Sequence, residues 1–156
     1  MTLDNIDKII WVLPFLAIMD VVSTFYVESQ NFDLHQYEVG FFARLALLSG
    51  VIYVYAVIYV LIVIGFSYVF WYIKKKLTPS ELLDKIVFVF LVVVTGYIYV
   101  TISATFIVNF FLPAIIQRGI NWNNVVLVTY LATLASLIFY VGQDAIVWLR
   151  TKGEKK

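Results

Sequence analysis

The chain has 156 residues, of which 63% are hydrophobic and 13% charged, and its mean hydropathy is +0.94. Soluble domains average about 45–50% apolar and about 25% charged residues, so this composition predicts a membrane protein and argues against a soluble enzyme. A net charge of +1 provides no basic surface for nucleic acid, and the absence of cysteine excludes disulfides and thiolate metal sites.

Four stretches are apolar over the about 20 residues that a membrane-crossing helix needs. They run over about 9–27, 43–73, 83–116 and 125–149. Each is predicted to be a helix, because lipid offers no partners to unpaired backbone groups and none of the stretches alternates as a barrel strand does. We therefore expect one all-α domain, an integral membrane four-helix bundle.

Basic residues are distributed unevenly between the connections. All of the Lys and Arg residues except Arg44 and Arg118 precede the first stretch, follow the fourth, or lie between the second and third. Because basic residues accumulate on the cytoplasmic side, this bias predicts a multi-pass protein of the cell membrane with both termini in the cytoplasm.

The second and third stretches, at about 31 and about 34 residues, are longer than a hydrocarbon core of about 30 Å requires. We expect them to tilt or to project beyond the lipid. Thr78, Pro79 and Glu81 form a capping-box pattern that predicts the start of the third helix, with Thr78 as its N-cap. Pro113 predicts a kink or an end of that helix, because proline removes a backbone hydrogen bond.

Asp20 is an acidic residue about two turns inside the far end of the first stretch. Ser23 and Thr24 share its helical face, at offsets of three and four residues. Arg44, near the start of the second stretch, is expected to reach Asp20, since pairing lowers the cost of burying either charge. Such a pair would either fix the register of two helices or form part of a substrate or ion site.

Polar residues also follow one face of each of the last two stretches. In the third these are Thr101, Thr105 and Asn109, and in the fourth Thr129, Thr133, Ser136, Tyr140, Gln143 and Asp144. Two such faces turned toward each other would form a polar path for protons or small ions. The alternative is that the hydroxyl and amide groups hold helices together, as is common in membrane proteins.

Two further patterns concern packing and metal binding. Ala46 and Gly50 are spaced by four residues, which predicts close approach of another helix in the bundle or in a second copy. An outer connection contains acidic residues and the histidine of the chain, a set that would be a weak cation site or, more commonly, a solvated face. The set comprises Glu28, Asp33, His35 and Glu38.

The segments 20–24 and 38–44 together resemble a pattern in a family of small prokaryotic, archaeal-looking membrane proteins of unknown function. That pattern is D-x-x-S/T-T, a short loop, and E-x-N-P-x-x-R. In this chain Gly40 and Phe41 stand where the family has Asn-Pro, and the loop is longer. The resemblance implies no activity, but it implies a linked group of residues at the outer leaflet. These are Asp20, Thr24, Glu38 and Arg44.

The sequence contains no complete catalytic set. Asp20 and Asp144 are expected to lie about 12 Å apart along the membrane normal, too far to share a proton. We predict a non-enzymatic subunit or homo-oligomeric component of a membrane complex, without a cofactor, whose partners are the lipid bilayer and other membrane subunits. The alternatives are a small transporter or channel that uses the polar faces of the third and fourth helices, and an outer-leaflet enzyme that uses Asp20 and Arg44.

Overall fold

The computed structural model describes residues 5–30, 48–79 and 81–150, and within these residues it is all-helical, with no strand. The helices are α1 (Asn5–Ser29), α2 (Ile52–Lys76), α3 (Leu82–Gln117) and α4 (Trp122–Arg150). Each is long and apolar enough to cross a membrane. The all-α class and the four helices of membrane-spanning length are thereby confirmed.

The start of α2 differs from the prediction. A continuous helix was expected from about residue 43, but α2 begins at Ile52 and has 25 residues. Gly50 has a φ of +69°, in the left-handed region that glycine adopts without steric cost, so a turn precedes the helix. Ala46 lies outside the described residues, and Gly50 is not helical. The prediction that Ala46 and Gly50 lie on one helix is therefore wrong for Gly50.

The capping box predicted for α3 is also wrong. The helix begins at Leu82 with Glu81 as its N-cap, and no side chain caps it. The backbone N–H of Thr78 instead donates to Oδ2 of Asp84 at 2.6 Å. The chain leaves α2 in an extended conformation at Leu77. It reverses direction after this residue, so α3 begins at Leu82 rather than directly after Thr78.

At its other end, α3 continues through Pro113 to Gln117, so the helix does not end at the proline. It ends in a Schellman motif, in which Ile120 N–H bonds to the Ile115 carbonyl at 3.1 Å and Gly119 N–H to the Ile116 carbonyl at 3.0 Å. Gly119 supplies the left-handed residue that this motif requires, with a φ of +64°. At 36 residues, α3 confirms the prediction of an over-long helix.

The four helices do not form a closed ring. α1 and α3 make the central pair, α2 packs mainly on α1, and α4 packs mainly on α3. We call the end that holds the starts of α1 and α3 and the ends of α2 and α4 the terminal end, and the opposite one the far end. All four helices share a core at the terminal end, whose buried residues are Ile6, Ile9, Ile10, Phe70, Phe88, Leu91 and Val141.

Farther along the molecule the core contains fewer helices. The middle cluster consists of Leu13, Ala17, Val63 and Ile102, which come from α1, α2 and α3 only. α4 is therefore held least in this part of the molecule. As a result, open spaces lie on two sides of α1. One is bounded by α2 and α3, and the other by α3 and α4.

Candidate functional site

A polar cleft lies in the far half of the molecule, between α1, α2 and α3. Its volume is about 150 Å³. Its polar lining residues are Asp20, Thr24, Tyr55, Tyr59, Thr101, Thr105 and Asn109. A larger cavity of about 400 Å³ beside Gly96 is lined mainly by aliphatic side chains, so the smaller cleft has the groups able to select a ligand.

Helical periodicity brings these groups together. Asp20 and Thr24 lie one turn apart on α1, and Tyr55 and Tyr59 one turn apart on α2. On α3 the three polar residues predicted from the sequence recur every four residues and line the same cleft. The structure thus joins the predicted face around Asp20 to the predicted polar face of the third helix.

Two hydrogen bonds in the cleft cross between helices. The Tyr59 hydroxyl donates to Oδ2 of Asp20 at 3.4 Å and ties α2 to α1. Nδ2 of Asn109 donates to Oγ1 of Thr24 at 3.2 Å and ties α3 to α1. The cleft is therefore a three-helix junction held by polar side chains.

The neighbouring hydroxyls bond within their own helices. Ser23 and Thr24 both donate to the backbone carbonyl of Asp20, at 2.7 and 3.0 Å. Thr105 donates to the carbonyl of Thr101 at 2.9 Å. Ser23 is buried beside the cleft and does not line it. These bonds satisfy the hydroxyl hydrogens without water, as backbone acceptors do for serine and threonine in membrane helices.

Among the predicted site residues, Glu38 and Arg44 lie outside the described residues, so the pair between Asp20 and Arg44 stays a prediction. Asp20 is the one charged residue of the described helices that lies more than two turns from a helix end. Tyr59, which bonds to Asp20, was not among the residues predicted from the sequence. The four-residue spacing of Tyr55 and Tyr59 indicates a shared face of α2, but it does not identify Asp20 as the partner.

The predicted stripe on α4 does not contribute to this cleft. The hydroxyls of Thr129, Thr133 and Ser136 donate to carbonyls of α4 itself, at 2.8, 2.9 and 2.8 Å. Tyr140 and Gln143 are exposed. The fourth-helix residues are therefore separate from the junction that contains the third-helix residues.

The two polar faces also point in different directions. A Cβ at Gly96 would lie 2.7 Å from Cδ2 of Leu137, so this side of α3 is the one that faces α4. Thr105 follows nine residues later, which turns it about 180° away from Gly96 at about 100° per residue. The facing arrangement, which was one of two possibilities raised by the sequence, is not what the structure shows. Gly96 lets α4 approach closely on the other side of α3, so packing rather than polarity orients the helix.

Asp144 has a different setting from Asp20. Its Oδ2 accepts a hydrogen bond from the backbone N–H of Asn5 at 2.9 Å, and Nδ2 of Asn5 donates to the Tyr140 carbonyl at 3.1 Å. A carboxylate at the first N–H groups of a helix also interacts favourably with the helix dipole. Asp144 thus fastens the start of α1 to α4.

The two aspartates are farther apart than the sequence suggested. The 15 residues from Asn5 to Asp20 along α1 extend about 22 Å, compared with the expected separation of about 12 Å. A shared proton between Asp20 and Asp144 is excluded at this distance. The hypothesis of an enzyme that uses Asp20 with Arg44 stays a prediction.

The part of the chain that the structure describes contains no cluster of three or more His, Asp and Glu residues able to hold a metal ion. Of the acidic set predicted in the outer connection, Glu28 is described, and Asp33, His35 and Glu38 lie outside the described residues. No family model, no curated protein and no solved structure matches the chain.

Proposed function

We propose that the protein is a multi-pass protein of the cell membrane, with both termini in the cytoplasm, that acts as a non-enzymatic component of a membrane assembly. Its partners are further copies of the chain or other membrane subunits. The observation that carries this proposal is the exposure of α4, which buries only Thr133 and Val141 among its 29 residues. By comparison, α3 buries eleven of its 36 residues.

The exposed side of α4 has features suited to a helix–helix contact. Ala132 and Ala135 are exposed there, and small residues allow two helices in lipid to approach closely. Gln143 adds an exposed amide on a neighbouring part of the surface. An amide gains more from a hydrogen-bonding partner than from a hydrocarbon tail, which supports coverage by protein.

The polar cleft supports a structural role for its residues. The side chains of Asp20, Thr24, Tyr59 and Asn109 bond to one another across α1, α2 and α3. Such bonds contribute about 0.6 kcal/mol each in membrane bundles, so they favour this arrangement of helices without determining it alone. A frame built in this way holds the inner helices together and leaves the outer face of α4 free to bind a partner.

Oxidative crosslinking in native membranes tests the assembly, since the chain contains no cysteine to interfere. Ala135→Cys on α4 is expected to form a crosslink with a second copy or with another membrane protein. Ala104→Cys is the matched control, because Ala104 on α3 is fully buried and out of reach of any partner. Absence of crosslinked species from Ala135→Cys and from further exposed α4 positions would overturn the proposal.

Insertion and orientation have their own test. The full chain is expected to stay with the membrane after alkaline extraction. In intact cells, an impermeant thiol reagent should label Asn121→Cys, between α3 and α4, and not Thr78→Cys, between α2 and α3. Both positions are exposed in the structure. The reverse labelling pattern would overturn the orientation.

A second candidate, a small transporter or channel, is favoured by the polar cleft itself. At about 30 Å³ per water in the liquid, a cleft of about 150 Å³ would hold about five waters beside Asp20. Flux of protons or small cations into liposomes should then fall with Asp20→Asn. It should stay unchanged with Asp144→Asn, because Asp144 lies outside the cleft. Equal flux through wild type and Asp20→Asn would dismiss this candidate.

A further inference from the structure

A groove separate from the polar cleft runs between α1 and α4 near the terminal end. Its volume is about 380 Å³, and α3 forms its floor through Tyr99. On α1 it is lined by Lys8 and Val12, and on α4 by Ser136, Phe139 and Tyr140 among others. None of its lining residues belongs to the Asp20 cleft.

The charge in this groove is at the terminal end. Lys8 is the fourth residue of α1 and is exposed. Its Nζ donates a hydrogen bond to Oδ1 of Asn5 at 3.1 Å, and an ammonium group carries three donors. Lys8 forms no ion pair with any carboxylate of the described residues. Its neighbour Asp7 pairs with Lys74 at 2.8 Å. The groove therefore begins at an exposed ammonium group.

The groove becomes apolar away from Lys8. Val12 lies one turn farther along α1, and Leu137 and Phe139 line the opposite wall on α4. Phe139 is 82% exposed, so its ring forms a wall that projects from the protein surface. The lining residues extend about one turn, roughly 6 Å, along each of α1 and α4. This length accommodates the first carbons of a lipid tail next to its headgroup.

We propose that this groove binds one anionic phospholipid of the cytoplasmic leaflet. The phosphate group lies at the ammonium of Lys8, near Tyr140, and one acyl chain lies along Val12, Leu137 and Phe139. This inference rests on the insertion and orientation proposed above. Lysine suits the position because its aliphatic stem packs on apolar surface while its ammonium stays at the headgroup level.

The size of the groove argues for a lipid rather than a helix of another subunit. One turn of an α-helix with its side chains, about 10–12 Å wide and about 5.4 Å long, fills about 400–600 Å³. The groove is lined by about one turn each of α1 and α4, so a helix would lie across its rim rather than fill it. A single hydrocarbon chain is narrow enough to lie within it.

The test measures lipid binding to the purified full chain in mild detergent, by native mass spectrometry or by the rise in thermal midpoint. Phosphatidylglycerol is compared with phosphatidylcholine of identical acyl chains, and with inorganic phosphate. One basic contact at a membrane surface corresponds to about fivefold in affinity, so phosphatidylglycerol should bind about fivefold more tightly and with one lipid per chain. Inorganic phosphate should have no effect.

Variants separate the groove from the general basic charge of this end. Lys8→Gln should reduce the preference for phosphatidylglycerol to about that for phosphatidylcholine, and Lys8→Arg should retain it. Lys85→Gln is the matched control, since Lys85 lies near the terminal end but does not line the groove. Ser136→Leu, which fills the groove, should weaken binding of both lipids.

Equal binding of the two lipids by wild type, or equal losses in Lys8→Gln and Lys85→Gln, would overturn the inference. So would inorganic phosphate that competes with the lipid, because the site would then be a general anion site. Failure of membrane insertion is detected separately by alkaline extraction. A chain that stays in the membrane and shows no lipid preference therefore contradicts the groove proposal alone.

Discussion

α3 and α4 are alike in apolarity and different in burial. Both are long and apolar enough to cross a bilayer. Yet α3 lies in the centre and contacts the other helices, whereas α4 rests on the side of α3 and buries two residues. Hydropathy therefore indicates which helices are apolar enough to span a membrane, and not which helix lies at the centre.

The position of small residues explains the difference in part. On α3, Thr95, Gly96, Ser103 and Ala104 are all buried, and they let neighbouring helices approach on more than one side. On α4 the small residues Ala132 and Ala135 are exposed. Because lipid tails are as apolar as the side chains, close packing rather than the hydrophobic effect drives association of such helices. Small residues permit contact, and the partner surface determines whether contact forms.

The largest expected effect is at the aromatic contact that joins α3 to α4. Phe88 on α3 is 1% exposed and stacks on Trp148 of α4 with ring centroids 3.8 Å apart. Phe88→Ala should lower the free energy of unfolding by about 3 kcal/mol. Removal of the ring leaves a cavity, and the side chains around it lose their packing contacts. Phe139→Ala on exposed α4 is the control and should cost less than about 0.5 kcal/mol. Denaturant titration in detergent measures both, and equal losses would contradict the central position of α3.

The next effect concerns the tight space around α3. Ala104 is fully buried, and Ala104→Leu should destabilise the fold by about 1–3 kcal/mol through overpacking. The same change at Ala135 should leave the thermal midpoint of the isolated chain unchanged. It should, however, reduce the crosslinked assembly in membranes, since a larger side chain disturbs a small-residue contact. A loss of stability in Ala135→Leu would show that α4 packs within the chain on its exposed side.

A smaller effect is expected at the glycine that faces α4. Gly96→Val places a branched side chain against Leu137, whereas the nearest atom to a Cβ at Gly142 is 4.0 Å away. Gly142→Val carries the same change in helix propensity, so the difference between the variants measures the α3–α4 contact. We expect Gly96→Val to be less stable than Gly142→Val by about 1 kcal/mol in the same titration. Equal stabilities would mean that Leu137 moves aside without cost.

The smallest effect distinguishes hydrogen bonds between helices from those within one helix. Asn109→Leu removes the bond to Thr24 that ties α3 to α1, and it should cost about 0.6 kcal/mol. Thr129→Val removes a bond from Thr129 to a carbonyl of its own helix, and that carbonyl keeps its backbone partner. Its cost should be close to zero. If both variants lose the same stability, the cleft is not a junction.

Sequence reasoning placed most helix ends within a few residues. The fourth stretch was expected over about 125–149, whereas the helix spans Trp122–Arg150. It starts earlier because the polar residues Asn123 and Asn124, which hydropathy does not detect, belong to its first turn. The start of α2 was misplaced, since hydropathy stays high on both sides of Gly50 and gives no signal of its positive φ. An apolar glycine turn and an apolar helix look alike in composition. They differ only in backbone geometry.

The sequence predicted several residues of the candidate site, but not how these residues are arranged around the cleft. Asp20, Thr24 and the polar face of α3 were identified from helical spacing, and all of them line the cleft. Their common location with Tyr59 depended on the rotation of α3 about its axis. That rotation follows from contacts such as Gly96 with Leu137, which no periodicity within one helix reveals.

The sequence by itself determined the four helices, their approximate ends and the charged residue deep within one of them. These features follow from the free energy of transferring single residues or backbone groups into an apolar medium, which each segment carries alone. Only the tertiary structure decided that α1 and α3 are central, that the third and fourth polar faces point apart, and that a groove opens beside Lys8. Those features depend on shape complementarity between side chains distant in the chain, which is a property of pairs of surfaces and not of one segment.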